Sequence, residues 1–374
     1  MDSIKNVASQ VTSTDLNSSI KAFKSLIEGD PQLFKLSTDM FTQTHPGDPT
    51  IPSNLATFII QLNSLVRSAP AFSTQRWASS PLTKFIEPYI RTPSGYEFFL
   101  NSKVNSAFHD ILKEWGKFLR TPASAAVLTD APNGWFSPDA LSNMPDFEKT
   151  FQCDPSKPHW GFTSWEDFFN RKLREGARPI AEPDNPGIVT AAVDGVTYKL
   201  ATDIKAKDEL WVKDQPYSLE DMFAGDPIAE KFVGGTILQV YLEPTGYHRW
   251  HAPVSGVVTR TLEIPGVFCP AQRDNTRLCG AYGYSTLNLH ETDDKALVCC
   301  LFSGILERGS CETSVLPGDR VEKGQELGMF HYGGSTHCLI FRPETKVEWN
   351  ETQFVKMGEE ISRISLDQYG GVSE

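Results

Sequence analysis

The sequence contains no long hydrophobic run. Its longest unbroken apolar stretch, Ala296 to Phe302, holds seven residues, far short of the roughly 18 that a membrane-spanning helix needs. The opening residues, MDSIKNVASQVTSTDLNSS, lack the basic and apolar segments of a secretory leader, so none is expected. Positive charge is scarce as well. Against 47 Asp and Glu stand 35 Lys and Arg, a net charge of −12, which argues against a nucleic-acid partner or a polybasic membrane-surface protein. The seven cysteines (Cys153, Cys269, Cys279, Cys299, Cys300, Cys311 and Cys338) are odd in number and never spaced as CxxC, which points away from a disulfide framework or a zinc ribbon. These absences together predict a cytoplasmic protein without stable membrane association.

What is present is the composition of an ordered globular chain. With 40% hydrophobic residues, 8 Trp and 23 Phe over 374 residues, there is apolar surface enough for two or three cores. Up to about residue 145 the apolar period is helical. Leu55, Phe58, Ile59, Leu62, Leu65 and Val66 share one face. Phe99, Leu100, Val104, Phe108, Ile111, Leu112 and Trp115 repeat the pattern in a helix predicted over Tyr96 to Leu119. A further helix is predicted over Ser164 to Glu175, with Asp167 completing a capping box. From about residue 188 the period shifts toward two, and GIVTAAVDG, TILQVYLEP, SGVVTRTLEI, KALVCCLFSG and THCLIF read as strands. The expected fold class is α+β, a helical N-terminal domain over 1–150 followed by a β-rich domain over 151–374.

Four stretches could carry chemistry: AAVDGV around Asp194, GYHRWHAPVSG around His248 and His251, GDRVEKGQELG at 318–328, and YGGSTHCLIF around Ser335. Each also has a structural reading. An Asp-Gly pair commonly makes a hairpin turn. Two His at i and i+3 following a strand face opposite sides and find no third ligand nearby, so no metal is expected. GGST lacks the Lys of a phosphate loop, and His337 stands where a nucleophile elbow needs its second Gly. SGVV with LPGDRVEKGQELG looks like the half-motif of biotinyl or lipoyl carriers, but Lys323 is not placed on the tight hairpin tip where a carrier presents its modifiable Lys.

Taken in order, these stretches resemble a known family. FFNRKLREGARPI at 168–180, VDGV at 193–196, YSLEDMFAG at 217–225, YHRWHAPVSG at 247–256 and KGQELGMFHYGGST at 323–336 resemble the phosphatidylserine decarboxylase family of pyruvoyl enzymes. Residues 92–128 resemble the extra N-terminal domain of a soluble subgroup to which the tryptophan decarboxylase of psilocybin biosynthesis belongs. The resemblance implies a carboxy-lyase with a β-rich catalytic domain of that family's type, a zymogen matured by autocatalytic cleavage between Gly334 and Ser335. In such maturation the Ser hydroxyl adds to the preceding Gly carbonyl and the ester eliminates. The dehydroalanine left behind hydrolyses to a pyruvoyl group with loss of ammonia. Ser335 would thus become the cofactor, and neither PLP nor a metal is implied. Gly334 is expected to supply the strained φ that the attack requires. By the same resemblance Asp194 orients His251, His251 takes the proton of Ser335, and His248 positions substrate or protonates the product carbon. Residues 1–334 would form a large subunit and 335–374 a small one of 40 residues, and the family with its exposed sheet edges suggests a homodimer.

The chemistry is consistent with these residues. Decarboxylating an α-amino acid leaves a carbanion, and none of the twenty side chains offers the electrophilic carbonyl that would take up its electrons; a pyruvoyl group does. A net charge of −12 and the missing membrane segment argue against a lipid substrate at an anionic bilayer. The stretch VFCPAQRDNTRLCGAYGYSTLNLHETDDKALVCC at 267–300 departs from the LFSVNP and LFxxNERV pattern of lipid decarboxylases. A free aromatic L-amino acid, tryptophan first, is the expected small-molecule substrate, with Phe268, Tyr282, Tyr284 and Trp250 as candidates to line its site. Two alternatives stand beside it: a phosphatidylserine decarboxylase making phosphatidylethanolamine, and a non-catalytic binding protein with the same fold.

Overall fold

The computed structural model describes residues 16–44, 50–74, 80–207, 211–212, 215–216, 218–264, 282–292, 296–305, 311–350 and 352–366. Its architecture is α+β, helices first and strands after. The N-terminal helices are Ser18–Gly29, Pro31–Gln43, Leu55–Leu65, Pro81–Ile90, Pro93–Leu100 and Ser102–Leu119. Several begin where the sequence supplies a capping side chain: Asp30 accepts from the Gln32 and Leu33 amides, Asn54 from Thr57 and Thr92 from Gly95.

Two predicted helices differ from the observed ones. The helix expected over Tyr96 to Leu119 is broken at Asn101, whose backbone is extended and whose side chain caps the Lys103 amide at 2.9 Å. The Asn105 amide adds bonds to the Phe99 and Asn101 carbonyls, so local side-chain bonds end the first helix. Leu100, at the break, is 43% exposed instead of lying in the core, while Phe99, Val104, Phe108, Ile111 and Trp115 are fully buried. The helix expected over Ser164 to Glu175 covers only Trp165–Phe169. Ser164 caps the Asp167 amide, but the Asp167 carboxylate turns to Thr163. Beyond Asn170 the chain pairs with an upstream segment instead, Gln152 donating to the Lys172 carbonyl and Arg174 to that of Thr150.

The helical core does not stop near residue 150. One continuous cluster joins the N-terminal helices to Trp135, Trp165, Phe168 and Phe169 and takes in Tyr247 and Tyr332 from the strand-rich region.

That region is built on an eight-stranded antiparallel sheet. Its order is Arg320–Val321, Gly256–Ile264, Tyr282–Glu291, Leu297–Ile305, Gly334–Phe341, Thr236–Leu242, Gly195–Thr202 and Phe354–Val355. Alternation along the strands gives it two apolar faces. Leu339, Phe341, Cys300, Phe302, Leu238 and Val240 point one way, against two three-stranded sheets. Cys338, Ile340, Cys299, Leu301 and Ile237 point the other way, against the helix Leu219–Met222 and the 3-10 turn Pro227–Phe232. Gly334–Phe341 is interior, hydrogen-bonded to a neighbour on each side.

Candidate active site

Ser335 sits at the start of that interior strand, opposite Leu242 on one side and Gly304 on the other. It is 1% exposed, and its Oγ has no hydrogen-bond partner among the described residues. A buried hydroxyl without a partner carries a desolvation cost. Gly334 is the first residue of the strand, opposite Ile305, so the pair Gly334–Ser335 lies in ladder-bonded, extended backbone, and the positive φ of 154° belongs to Gly333. The strain expected at Gly334 is therefore not a feature of this ladder. On the same face as Ser335, two residues on, His337 stacks on Phe302 at 4.6 Å, and Phe302 stacks on Trp250 at 4.2 Å. The His337 Nδ1 donates to the Leu301 carbonyl at 3.2 Å, and burial pulls its pKa down to about 4.

Asp194 is no hairpin residue. The segment from Thr190 to Gly195 crosses from a three-stranded sheet to the eight-stranded one. Gly195 is required there because a Cβ would stand 2.5 Å from the Tyr241 carbonyl. The Asp194 carboxylate is held by the Arg178 guanidinium, Nε to Oδ1 at 3.2 Å and the second contact at 2.6 Å, and by the Met357 amide at 2.8 Å. Val196 faces Tyr241, next to the Leu242 that faces Ser335, which sets the start of the Asp194 strand roughly 10 Å from Ser335 across the sheet.

His251 closes the short strand Arg249–His251. Its Nδ1 lies 2.8 Å from the Gly324 carbonyl and its Nε2 2.8 Å from the Tyr247 hydroxyl. A carbonyl only accepts, so Nδ1 carries the proton and Nε2 accepts from Tyr247. Asp194 makes no hydrogen bond to His251, and His251 makes none to Ser335. Both ring nitrogens are engaged elsewhere, and Asp194 acts on His251 only as a nearby charge. Burial pulls the His251 pKa below its ordinary 6.5, opposed by the Gly324 carbonyl and the Glu326 and Asp194 charges. His248 is also buried, its ring stacked on Phe169 at 3.8 Å.

Of the residues expected to line a substrate site, Trp250 is fully buried in the sheet core, a packing role. Phe268 lies outside the described residues, as do the side chains of Tyr282 and Tyr284. Lys323 lies in the tight turn closed by the Gln325 amide on the Glu322 carbonyl, but it is 6% exposed and donates to the Glu182 and Asn185 carbonyls. Sequence reasoning missed Arg178, Tyr247, Gly324 and Arg171 as site residues. Arg171, fully buried, donates to the Thr245 and Gly246 carbonyls and lies over the Phe147, Phe151 and Phe168 rings. The available signal was that all four fall inside stretches already singled out, FFNRKLREGARPI, YHRWHAPVSG and KGQELGMFHYGGST.

Comparison with known proteins gives a family for this arrangement. The family model described as phosphatidylserine decarboxylase matches residues 165–363, and a second model of the same description matches 17–144. The chain is 34% identical to the decarboxylase iboD of Amanita muscaria, over 76% of this chain and 91% of the relative. It is 31% identical to the L-tryptophan decarboxylase of Psilocybe cubensis, over 88% and 81%. It is 30% identical to phosphatidylserine decarboxylase proenzyme 2 of Oryza sativa subsp. japonica, over 56% and 35%.

Proposed function

The chain belongs to the phosphatidylserine decarboxylase family, and from that premise we propose that it is a self-cleaving decarboxylase of a free aromatic L-amino acid, tryptophan first. Membership makes it a pyruvoyl-type carboxy-lyase acting on an amino-acid-like substrate, independent of PLP and metal. The finer reading takes Gly334–Ser335 as the scissile bond. The observation that carries it is the Ser335 hydroxyl, buried and unpartnered on an interior strand within the residues the family model matches. A group formed there fits the site, since no polar neighbour needs that oxygen and the ladder holds the strand on both sides.

A pyruvoyl group supplies the electron sink for the leaving carboxylate's electron pair. The chain's own residues make and serve it. Ser335 Oγ adds to the Gly334 carbonyl carbon, and His251, neutral with its lone pair on Nε2, is the base for that proton. Asp194 supplies negative charge nearby, itself fixed by Arg178. His248, held by Phe169, positions substrate or returns a proton to the product carbon. Residues 151–374 form the decarboxylase unit and 1–150 the helical domain. Support for a free amino acid comes from coverage: the tryptophan decarboxylase aligns over 88% of the chain and the lipid proenzyme of Oryza sativa over 56%. No helix among the described residues is long and apolar enough to cross a membrane.

Intact mass and a denaturing gel test the reading. Wild type should run as fragments of 334 and 40 residues, the smaller blocked at its N-terminus by a ketone, and Ser335→Ala as one inactive chain. Carbon dioxide release from tryptophan, phenylalanine, tyrosine and phosphatidylserine in parallel decides the substrate. Turnover confined to the lipid overturns the amino-acid reading, and an uncleaved wild type overturns the enzyme.

A further inference from the structure

The Tyr247–His251 contact has no part in the proposed chemistry, yet it occupies the one nitrogen that chemistry needs. With Nδ1–H committed to the Gly324 carbonyl, the basic lone pair of His251 is on Nε2, and the Tyr247 hydroxyl donates to it at 2.8 Å. Burial holds the phenol well above its ordinary pKa, so it stays a donor. The charges facing the imidazole are Glu326, Asp194 and Arg249. None of them hydrogen-bonds Nε2 among the described residues, and Asp194 is itself held by Arg178.

Tyr247 is not a free rotor. Its ring lies on Phe151 at 6.1 Å and belongs to the same apolar cluster as the N-terminal helices. The two residues before it are pinned through their carbonyls by the buried Arg171, which lies over Phe151, Phe147 and Phe168. The position of the hydroxyl is thus set by the aromatic core of the helical region, and its hydrogen bond reaches the base of the sheet region.

We propose that Tyr247 is a positioning residue that masks the base of self-cleavage: while its hydroxyl donates to His251 Nε2 that nitrogen cannot take the Ser335 proton, and maturation waits on release of this contact from the helical core. No atom is transferred in the masking; one hydrogen bond is exchanged for another, Tyr247 Oη–H to Nε2 giving way to Ser335 Oγ–H to Nε2. The idea rests on the proposed function for its consequence and not for its geometry.

Tyr247→Phe removes one oxygen and keeps the Phe151 contact. Freshly synthesised Tyr247→Phe protein should self-cleave about two- to tenfold faster than wild type, the worth of one net hydrogen bond; equal or slower cleavage overturns the masking. A second measurement needs no cleavage. In Ser335→Ala protein, nitrogen-15 spectra should show His251 as the Nδ1–H tautomer with a hydrogen-bonded Nε2, and adding Tyr247→Phe should move the Nε2 resonance to that of an unbonded nitrogen. Identical Nε2 resonances in the two, or an Nε2–H tautomer, overturn it. If wild type and Tyr247→Phe both stay uncleaved, the proposed function falls, and the spectra alone then support or overturn the masking.

Discussion

Acid should weaken this fold through His337. The ring is 2% exposed, stacked on Phe302 in the sheet core, and burial pulls its pKa from 6.5 to about 4. Between those values the folded chain keeps the imidazole neutral while the unfolded chain binds a proton. The stability is therefore whole above pH 6.5 and is lost progressively as pH falls toward 4. Linkage over that window gives a loss of about 2 kcal/mol at pH 5 and about 3 kcal/mol at pH 4. The comparison uses the Ser335→Ala chain, which lacks the proposed nucleophile, and the same chain carrying His337→Phe, which keeps a ring on Phe302 and cannot titrate. Urea midpoints at pH 7.5 and pH 5 are measured for both. His251 and His109 are also pulled below 6.5 by burial, but they are present in both chains and cancel. The histidine chain should lose about 2 kcal/mol more than its partner between the two pH values. Equal losses would refute the burial argument.

Three further outcomes follow from the site geometry. Arg178→Gln leaves the Asp194 carboxylate buried with the Met357 amide as its remaining hydrogen-bond donor, so urea unfolding should show a loss of about 3–5 kcal/mol, with slower self-cleavage on a gel time course. At Gly324 φ is +82°, and a Cβ would stand 2.4 Å from Ile180 Cδ1. Gly324→Ala should therefore cost about 1–2 kcal/mol and slow cleavage by shifting the carbonyl that orients His251; unchanged cleavage would show that this carbonyl sets nothing. Arg171→Met strips the donors from the Thr245 and Gly246 carbonyls in a buried site, and thermal unfolding should report a loss of about 2–5 kcal/mol, the cost of two buried acceptors left unsatisfied.

Much of the fold was legible because period and burial agree. THCLIF alternates between two apolar faces, and an interior strand of an antiparallel sheet buries both. The helix boundaries were less legible because they are decided by single side chains. Asn101 and Asn105 break a continuous apolar stripe through local hydrogen bonds, and the run after Asn170 finds backbone partners twenty or more residues away. In the candidate site, Ser335, His251 and Asp194 were visible as residue types in a recognisable order. Their partners were not, because Gly324 acts through a carbonyl that every residue possesses, and Tyr247 and Arg178 act through contacts that close only in three dimensions. That Asp194 orients His251 was inferred from a resemblance in the order of residues, and order along the chain does not say which nitrogen faces which oxygen.

The placement of Ser335 also explains how a chain could be cut within its core and remain whole. The strand Gly334–Phe341 pairs at seven positions with Thr236–Leu242 and at eight with Leu297–Ile305, and a break at its first peptide bond leaves the pairs from Thr336 onward intact. Cys338 and Ile340 are buried on one face, Leu339 and Phe341 on the other, so a fragment starting at Ser335 would be retained by the same burial that folds the intact chain. A scissile bond on an edge strand would lose half of that ladder, and one in mid-strand would split the apolar anchor between two fragments. A cut at the strand's first peptide bond would thus free a chain end without removing the pairing that holds the strand. Tyr247 and Tyr332 belong to the same apolar cluster as the N-terminal helices, so the helices and the segment leading into Gly334–Ser335 share one body of packing.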